Sequence, residues 1–126
     1  MFGVVPRQLW ERKNPPDNNN MCTWSMRCLL IQVGDRNILI DTGIGTKQGE
    51  KFRKHFEPHG ENNLHDSLRA AGLFYEDVTD VLLTHLHFDH VGGAIYRDDS
   101  GELVPTFPNA TYWTNEVHWN WPLVPN

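Results

Sequence analysis

One short stretch of the chain carries the side chains best suited to chemistry. Residues 84–93 have the sequence THLHFDHVGG, and four of the six residues from His85 to His90 can bind a transition metal. Three of them are imidazoles and one is a carboxylate, a ligand set that suits zinc and neighbouring divalent ions. If these side chains were buried without a metal, their desolvation would cost free energy with no evident partner. The motif therefore predicts a metal site.

The spacing inside the motif predicts how its four ligands are arranged. Residues 78–83, VTDVLL, predict a buried strand that leads into the motif. Residues two apart in an extended segment point to the same side, so His85 and His87 should face one pocket. The second pair, Asp89 and His90, lies just before two glycines that allow the backbone to turn toward a neighbouring point. This geometry predicts two metals side by side, about 3.5–4 Å apart if the site is a two-metal hydrolytic one.

The motif and an upstream element together resemble the metallo-β-lactamase superfamily. The pattern His-x-His-x-Asp-His after a hydrophobic strand, followed by Gly-Gly, is similar to the signature of that superfamily. Residues 38–43, ILIDTG, resemble its strand-then-Asp-x-Gly element, and the two motifs occur in the expected order. The sequence THLHFDHxGG is most similar to the branch that contains acyl-homoserine lactonases and organophosphate hydrolases. The resemblance covers most of this chain, which corresponds to the first half of the usual domain.

The resemblance implies an α/β fold, the first half of an αββα metallo-β-lactamase-type sandwich. The order of predicted strands and helices also indicates an α/β sheet covered on one face by helices. Residues 1–126 are expected to be the N-terminal part of a single metallo-β-lactamase-like domain, truncated relative to that domain. The sheet should then expose an apolar face, so we expect self-association or a missing C-terminal half as its partner.

The resemblance also implies roles for individual residues. His85 and His87 are expected to hold one metal ion, and Asp89 and His90 the other. In the family a later histidine, a bridging aspartate and a final histidine complete the site, and no segment after the motif has their pattern. Asp89 is also the candidate catalytic proton carrier. Asp41 is expected near the metals, where its carboxylate could hold a ligand histidine in the right tautomer; the alternative for Asp41 is a turn or helix cap.

The implied activity of the parent protein is that of a zinc-dependent hydrolase. A metal-bound hydroxide would attack an ester-like bond of a small molecule, with a lactone favoured over organophosphates, thioesters and β-lactams. The expected cofactor is Zn²⁺, two ions per complete domain, with Fe or Mn as alternatives. Two other functions stay open. The missing ligands point to a non-catalytic metal-binding fragment, and a sulfur dioxygenase would use one iron at the same motif.

Composition and charge exclude several classes of function. The chain has 126 residues, of which 39% are hydrophobic and 21% charged, within the range of one globular domain. Its formal net charge of −5 gives no basic surface for nucleic acid or an anionic membrane. No apolar run approaches the roughly 20 residues that span a bilayer. The N-terminal sequence lacks the pattern of a secretory signal, so a cytoplasmic protein is expected.

The remaining segments predict the elements that position the motif. Predicted strands cover residues 2–5, 21–33, 38–40, 78–83, 103–107 and 110–114. Predicted helices cover residues 48–56, 63–72 and a segment from 115 that Pro122 interrupts. Residues 14–20 predict a loop, and residues 34–37 a tight turn. Cys22 and Cys28 would lie on one strand roughly 20 Å apart, so both are predicted to be free thiols.

Other residues with chemical potential fit the motif less well. His55 and His59 have the spacing of a helical metal pair, but Pro58 lies between them and disfavours a continuous helix. His118 follows the motif closely, whereas the next ligand histidine of the family lies much further on, so it is not counted as a ligand. One aromatic group is predicted to be core rather than an acyl or aryl pocket: Tyr112, Trp113, Trp119 and Trp121.

Overall fold

The computed structural model describes residues 2–123, which form six strands, five α-helices and two short 3-10 helices, Tyr75–Asp77 and Gly92–Ala94. The strands are β1 (Leu29–Val33), β2 (Arg36–Ile40), β3 (Asp80–Leu82), β4 (Ile95–Arg97), β5 (Leu103–Pro105) and β6 (Thr111–Trp113). The helices are α1 (Arg7–Trp10), α2 (Glu50–Phe56), α3 (Leu64–Ala70), α4 (Phe88–Val91) and α5 (Glu116–Leu123). No helix within residues 2–123 combines the length and apolar character needed to cross a membrane.

Four strands form the main sheet in the order β1-β2-β3-β6. β1 and β2 make an antiparallel hairpin, whereas β3 runs parallel to both β2 and β6. β4 and β5 form a separate antiparallel pair. The carboxyl ends of parallel strands meet at one edge of a sheet, which is where open α/β sheets bind ligands. The segments that follow β2, β3 and β6 therefore start side by side at that edge.

One face of the main sheet carries the hydrophobic core. Leu39 of β2 and Val81 of β3 are neighbours in the register and are fully buried. Helix α3 packs Leu68 into the same cluster, and its amino terminus is fixed by Asn63, whose side chain accepts a hydrogen bond from the backbone N–H of Asp66. This helix and its cap agree with the sequence prediction. The other buried members of the core are Leu73, Val78, Leu83 and Phe107.

The opposite face of the main sheet is open in the part of the chain that the structure describes. Leu29, Ile31 and Val33 of β1, with Leu82 and Trp113 further across the sheet, are between 39% and 58% exposed. They share one face because side chains alternate along each strand and the register aligns the strands. An apolar surface of this extent is typical of an interface.

A buried carboxylate ties three strands together at the amino-terminal end of β3. Arg36 of β2 donates two hydrogen bonds to Asp80, and the Thr79 hydroxyl and the Trp113 indole N–H donate one each, at 2.7 and 2.8 Å. The hydrogen bonds from Arg36, then those from Thr79 and Trp113, hold the pKa of the Asp80 carboxyl far below its usual range. The ionised side chain thus links β2, β3 and β6.

The first 28 residues differ most from the sequence prediction. The strand predicted at residues 2–5 is wrong: these residues form a turn, in which the Val5 N–H donates to the Phe2 carbonyl at 3.0 Å. The Phe2 ring stacks on Trp10 of α1, a helix that the sequence does not predict, at a centroid distance of 4.3 Å. The strand predicted at residues 21–33 begins only at Leu29, because its partner β2 ends at Ile40.

Further along the chain the predicted elements are present with shifted ends. The helix predicted at residues 48–56 begins at Glu50, and the strand predicted at residues 78–83 covers Asp80–Leu82. The strands predicted at 103–107 and 110–114 are β5 and β6. The turn of the first hairpin shortens to residues 34–35. Helix α5 extends to Leu123, so the predicted interruption at Pro122 is wrong.

The aromatic group near the end of the chain is exposed, and its prediction as core is wrong. Its members range from 36% exposed for Tyr112 to 58% for Trp119 and Trp121. The cause is topological, because β6 is an edge strand and α5 continues past it. A cleft of about 430 Å³ lies beside this edge; it is lined by Leu83, Leu86, Tyr112, Trp113, Thr114, Glu116 and Trp119.

Both cysteines are free, as the sequence predicts. Cys28 packs against the hydrophobic core. Burial, followed by the nearby Asp41 carboxylate, raises the pKa of the Cys28 thiol to about 11. The thiolate is the reactive form of cysteine, and a raised pKa lowers its fraction, so the Cys28 thiol should react slowly in the folded protein.

We expect iodoacetamide to modify Cys28 slowly at pH 8 while the protein is folded. A rise in pKa from 9.0 to about 11 lowers the thiolate fraction roughly 100-fold. Timed labelling followed by peptide mass spectrometry gives the rate, and the same residue in the urea-denatured chain is the reference. Equal rates in the folded and denatured chains would show that Cys28 is not buried as described.

Candidate metal centre

The candidate centre begins where β2 and β3 end side by side. Their last aligned pair is Ile40 with Leu82, and the next residue, Asp41, donates its backbone N–H to the Leu82 carbonyl at 2.9 Å. Asp41 has a φ of 58°, in the left-handed region that a non-glycine residue rarely adopts. Such strain persists only where surrounding contacts enforce it, and it clusters at functional sites.

The Asp41 carboxylate connects the two ends of the histidine motif. It accepts hydrogen bonds from the Thr84 backbone N–H and from the Thr84 hydroxyl, both at 2.9 Å. Its Oδ2 lies 2.8 Å from Nδ1 of His90. Burial alone would raise the pKa of the Asp41 carboxyl, but the hydrogen bonds from His90 and Thr84 outweigh it and lower that pKa below its usual value. The carboxylate is therefore ionised at neutral pH.

This contact determines how His90 presents its second nitrogen. A proton on Nδ1 donates to the Asp41 carboxylate, which leaves Nε2 with its lone pair free. Nε2 lies 3.6 Å from Oδ2 of Asp89. A carboxylate on the far nitrogen is the arrangement that fixes the tautomer and orientation of metal-binding histidines. His90 and Asp89 thus present one nitrogen and one oxygen to the same place.

His85 lies between the other two histidines of the motif. The ring centroid of His85 is 4.0 Å from that of His90 and 4.7 Å from that of His87. Nδ1 of His85 is 3.1 Å from the Thr84 hydroxyl. Burial, followed by the neighbouring His90 and His87, lowers the pKa of His85 below the usual histidine value. A neutral imidazole is the form that binds metal, so this shift reduces competition from protons near neutral pH.

The four side chains of the motif form one connected cluster. Within residues 2–123, no three His, Cys, Asp or Glu side chains are placed so that together they could hold one ion. His85 lies between His90 and His87, and Asp89 lies beside His90. Imidazole and carboxylate are the donors that zinc takes in proteins. The donor types present therefore fit a zinc centre that takes further ligands from elsewhere.

A close contact between two backbones fixes the position of His90. The Thr42 N–H donates to the His90 carbonyl at 2.7 Å, and the Gly93 N–H donates to the Gly43 carbonyl at 3.0 Å. A Cβ atom on Gly92 or Gly93 would overlap backbone atoms of the loop that follows β2. These glycines were predicted to allow a turn, but φ of Gly92 is −57°, which any residue can adopt. They are needed because only glycine permits such a close approach.

Helix α5 contributes two side chains that the sequence does not mark as part of the centre. The His118 ring lies 6.4 Å from the His85 ring, and Trp121 lies 6.2 Å from His87, between ring centroids. His118 is 28 positions after His90 in the sequence. The parallel pairing of β6 with β3 brings α5 to the motif. The sequence contains one signal for this contact. It predicts strands at residues 78–83 and 110–114, and the segments that follow two neighbouring parallel strands meet at one edge of a sheet.

Replacement of Asp41 should weaken metal binding without unfolding the chain. In Asp41→Ala the motif loses its shared acceptor, whereas Asp41→Asn keeps one acceptor oxygen and tolerates a positive φ. We expect the zinc affinity of Asp41→Ala, measured by chelator competition, to fall about 10–100-fold, and that of Asp41→Asn to fall less.

The control is Asp98→Ala, in the turn of the β4–β5 hairpin. Asp98 also accepts backbone hydrogen bonds, from Ser100 and Glu102 at 2.9 Å, but it lies outside the motif. Circular dichroism checks that each variant is folded. Equal zinc affinities for Asp41→Ala and Asp98→Ala would rule out the role assigned to Asp41.

A curated relative resembles most of the chain. The N-acyl homoserine lactonase AiiB of Agrobacterium fabrum is 30% identical over 93 residues, which are 67% of this chain and 34% of AiiB.

Two solved structures share the fold. A probable metal-dependent hydrolase from Staphylococcus aureus has a TM-score of 0.88 at 33% identity, over 100% of this chain and 44% of that one. AidC, a dizinc quorum-quenching lactonase solved with a product, has a TM-score of 0.54 at 32% identity, over 74% of this chain and 27% of AidC. The chain therefore spans less than half the length of these relatives.

A protein-family model decides the assignment. The model described as the metallo-beta-lactamase superfamily matches residues 27–105, which include both Asp41 and the histidine motif. The predicted resemblance and the predicted α/β fold are thereby confirmed. With more than half of its residues matched, the chain belongs to the metallo-beta-lactamase superfamily.

Proposed function

We propose that this chain is the N-terminal part of a metal-dependent hydrolase domain that cleaves ester-like bonds. One observation carries the proposal. The Asp41 carboxylate holds Nδ1 of His90, so that Nε2 of His90 and the Asp89 carboxylate point to the same place. This is the geometry of a prepared metal ligand, and it occurs in a chain of the metallo-beta-lactamase superfamily.

Zinc is the metal we propose, with His85 and His87 holding one ion and Asp89 and His90 the other. The description of AidC as a dizinc enzyme supports this choice. When bound, zinc ions lower the pKa of water and polarise a substrate oxygen. The chain itself supplies His85, whose lowered pKa favours the neutral imidazole, and an ionised Asp41 that keeps His90 oriented.

Asp89 has a second proposed role, in moving a proton. Its side chain is 28% exposed and lies next to Nε2 of His90. A carboxylate at this position can exchange protons with solvent while it remains beside the reacting groups. We propose that Asp89 takes a proton from the attacking group and delivers it to the leaving oxygen, as general acid–base catalysis requires.

A lactone is the proposed substrate class. AiiB and AidC, to which this chain is similar, are both named as lactonases. Ring opening of a lactone needs the functions proposed above, which are an activated water, a polarised carbonyl and a proton for the alkoxide. Organophosphates, thioesters and β-lactams are further candidates, because their reacting centres make the same demands.

The His85→Ala/His87→Ala double variant should abolish zinc retention. It removes half of the proposed ligands, and two ligands cannot serve two ions. Elemental analysis after gel filtration measures retained zinc, and hydrolysis of a chromogenic ester and of a lactone is tested on the same samples. His55→Ala/His59→Ala is the matched control, because these histidines lie outside the motif.

Three results of this experiment would alter the proposal. If the double variant holds zinc as tightly as the parent chain, the ligand assignment is wrong. Zinc without turnover favours a non-catalytic metal-binding fragment. Iron in place of zinc favours a sulfur dioxygenase.

The open face of the main sheet is proposed as an association surface. In the complete domain we propose that a C-terminal half covers it, and without that half a second copy of this chain does so. Light scattering at tens of micromolar protein should show dimers or larger species, and Ile31→Lys should shift them to monomer. Gln32→Lys is the control, since Gln32 is the next residue and points to the other face. A monomeric parent chain would contradict the proposal.

A further inference from the structure

His118 carries a polar atom that the proposed site does not explain. Its Nδ1 is buried and has no hydrogen-bond partner among residues 2–123. Native proteins rarely leave a buried nitrogen unpaired, and an ion or water bound nearby is a recurrent explanation. The unpaired nitrogen therefore indicates that something small and polar belongs beside His118.

His118 lies at the edge of the candidate metal centre. Its ring lies against His85 at a centroid distance of 6.4 Å and an interplanar angle of 69°. Trp121, three residues later, lies against His87 at 6.2 Å and 79°. Residues three apart share one face of a helix. A single face of α5 thus covers the two histidines that follow β3.

The two ends of the motif are held unequally in the described residues. His90 is fixed by the charged Asp41 carboxylate at 2.8 Å. The His85 ring has the Thr84 hydroxyl as its hydrogen-bond partner, at 3.1 Å. The Thr84 hydroxyl gives its proton to Asp41, so its oxygen can only accept a hydrogen bond from Nδ1 of His85. A neutral acceptor at this distance holds an imidazole less firmly than the charged carboxylate holds His90, so a further contact would strengthen the orientation of His85.

We propose that His118 is the positioning residue for His85 in the metal centre. The His118 ring packs against His85. When metal ions occupy the centre, the buried Nδ1 of His118 gains a hydrogen-bond partner. His118 thereby raises metal affinity without being a ligand. The inference rests on the proposed metal centre, and it adds a contribution from α5 that the histidine motif does not contain.

The experiment distinguishes the contribution of the His118 ring to zinc affinity from that of its nitrogen atom Nδ1. His118→Phe keeps an aromatic ring and removes both nitrogens, whereas His118→Asn keeps a polar group near the position of Nδ1. His65→Phe is the control, because His65 is a half-exposed histidine on α3. Zinc affinity is measured by chelator competition at pH 7.5, and the thermal unfolding temperature is measured with and without zinc.

We expect zinc affinity to fall about 10–100-fold in His118→Phe, the usual range for residues that orient metal ligands. His118→Asn should recover most of that loss, and His65→Phe should bind zinc like the parent chain. The metal-free unfolding temperatures of the parent and of His118→Phe should be similar, so that the difference appears only with zinc.

Three outcomes would overturn the inference. Unchanged zinc affinity in His118→Phe would exclude a positioning role. Equal losses in His118→Phe and His118→Asn would show that the nitrogen is not responsible. A parent chain that binds no zinc would overturn the metal centre itself and this inference with it, whereas a zinc-binding parent with an unchanged His118→Phe would overturn this inference alone.

Discussion

The carboxylate of Asp41 is the interaction on which the rest of the centre depends. The left-handed φ of Asp41 ends β2, and the pairing of β1 with β2 ends there too. The same turn directs the Asp41 side chain toward the motif. The carboxylate then holds Thr84 at the start of the motif and His90 at its end. The cost of a strained backbone and a buried charge is offset by hydrogen bonds to the charged form, which are among the stronger ones in proteins.

The main sheet brings segments that are far apart in the sequence close to Asp41. Three parallel strands deliver Asp41, the histidine motif and helix α5 to a single edge of the sheet. Glycines at 92 and 93 let the loop after β2 approach the motif more closely than any side chain would allow. The parallel strands and the two glycines supply no ligand, but they determine how close the ligands come to one another. The ionised Asp80 links the same three strands through Arg36 of β2 and Trp113 of β6.

The sequence predicted the parts of this centre that depend on local spacing. Alternation along an extended segment placed His85 beside His87, and the resemblance to the metallo-β-lactamase superfamily implied that Asp41 lies near the motif. Long-range topology was not readable in the same way. His118 is recognisable only once β6 is known to lie parallel to β3, and the exposure of the tryptophans only once β6 is known to be an edge strand. The positive φ of Asp41 ends β2, and this shortens its partner, the strand predicted from residue 21. The identity of residue 41 as aspartate does not by itself predict that φ.

The central claim is that residues 85–90, oriented by Asp41, hold metal ions. The most direct measurement is a crystal structure of the zinc-loaded chain, with anomalous diffraction recorded at the zinc edge. The account predicts anomalous peaks about 2.0–2.2 Å from nitrogen atoms of His85, His87 and His90 and from an oxygen of Asp89. The hydrogen bond between Asp41 and Nδ1 of His90 should be retained. Peaks confined to other histidines, such as His55, His59 or His65, or no peak at the motif, would contradict it.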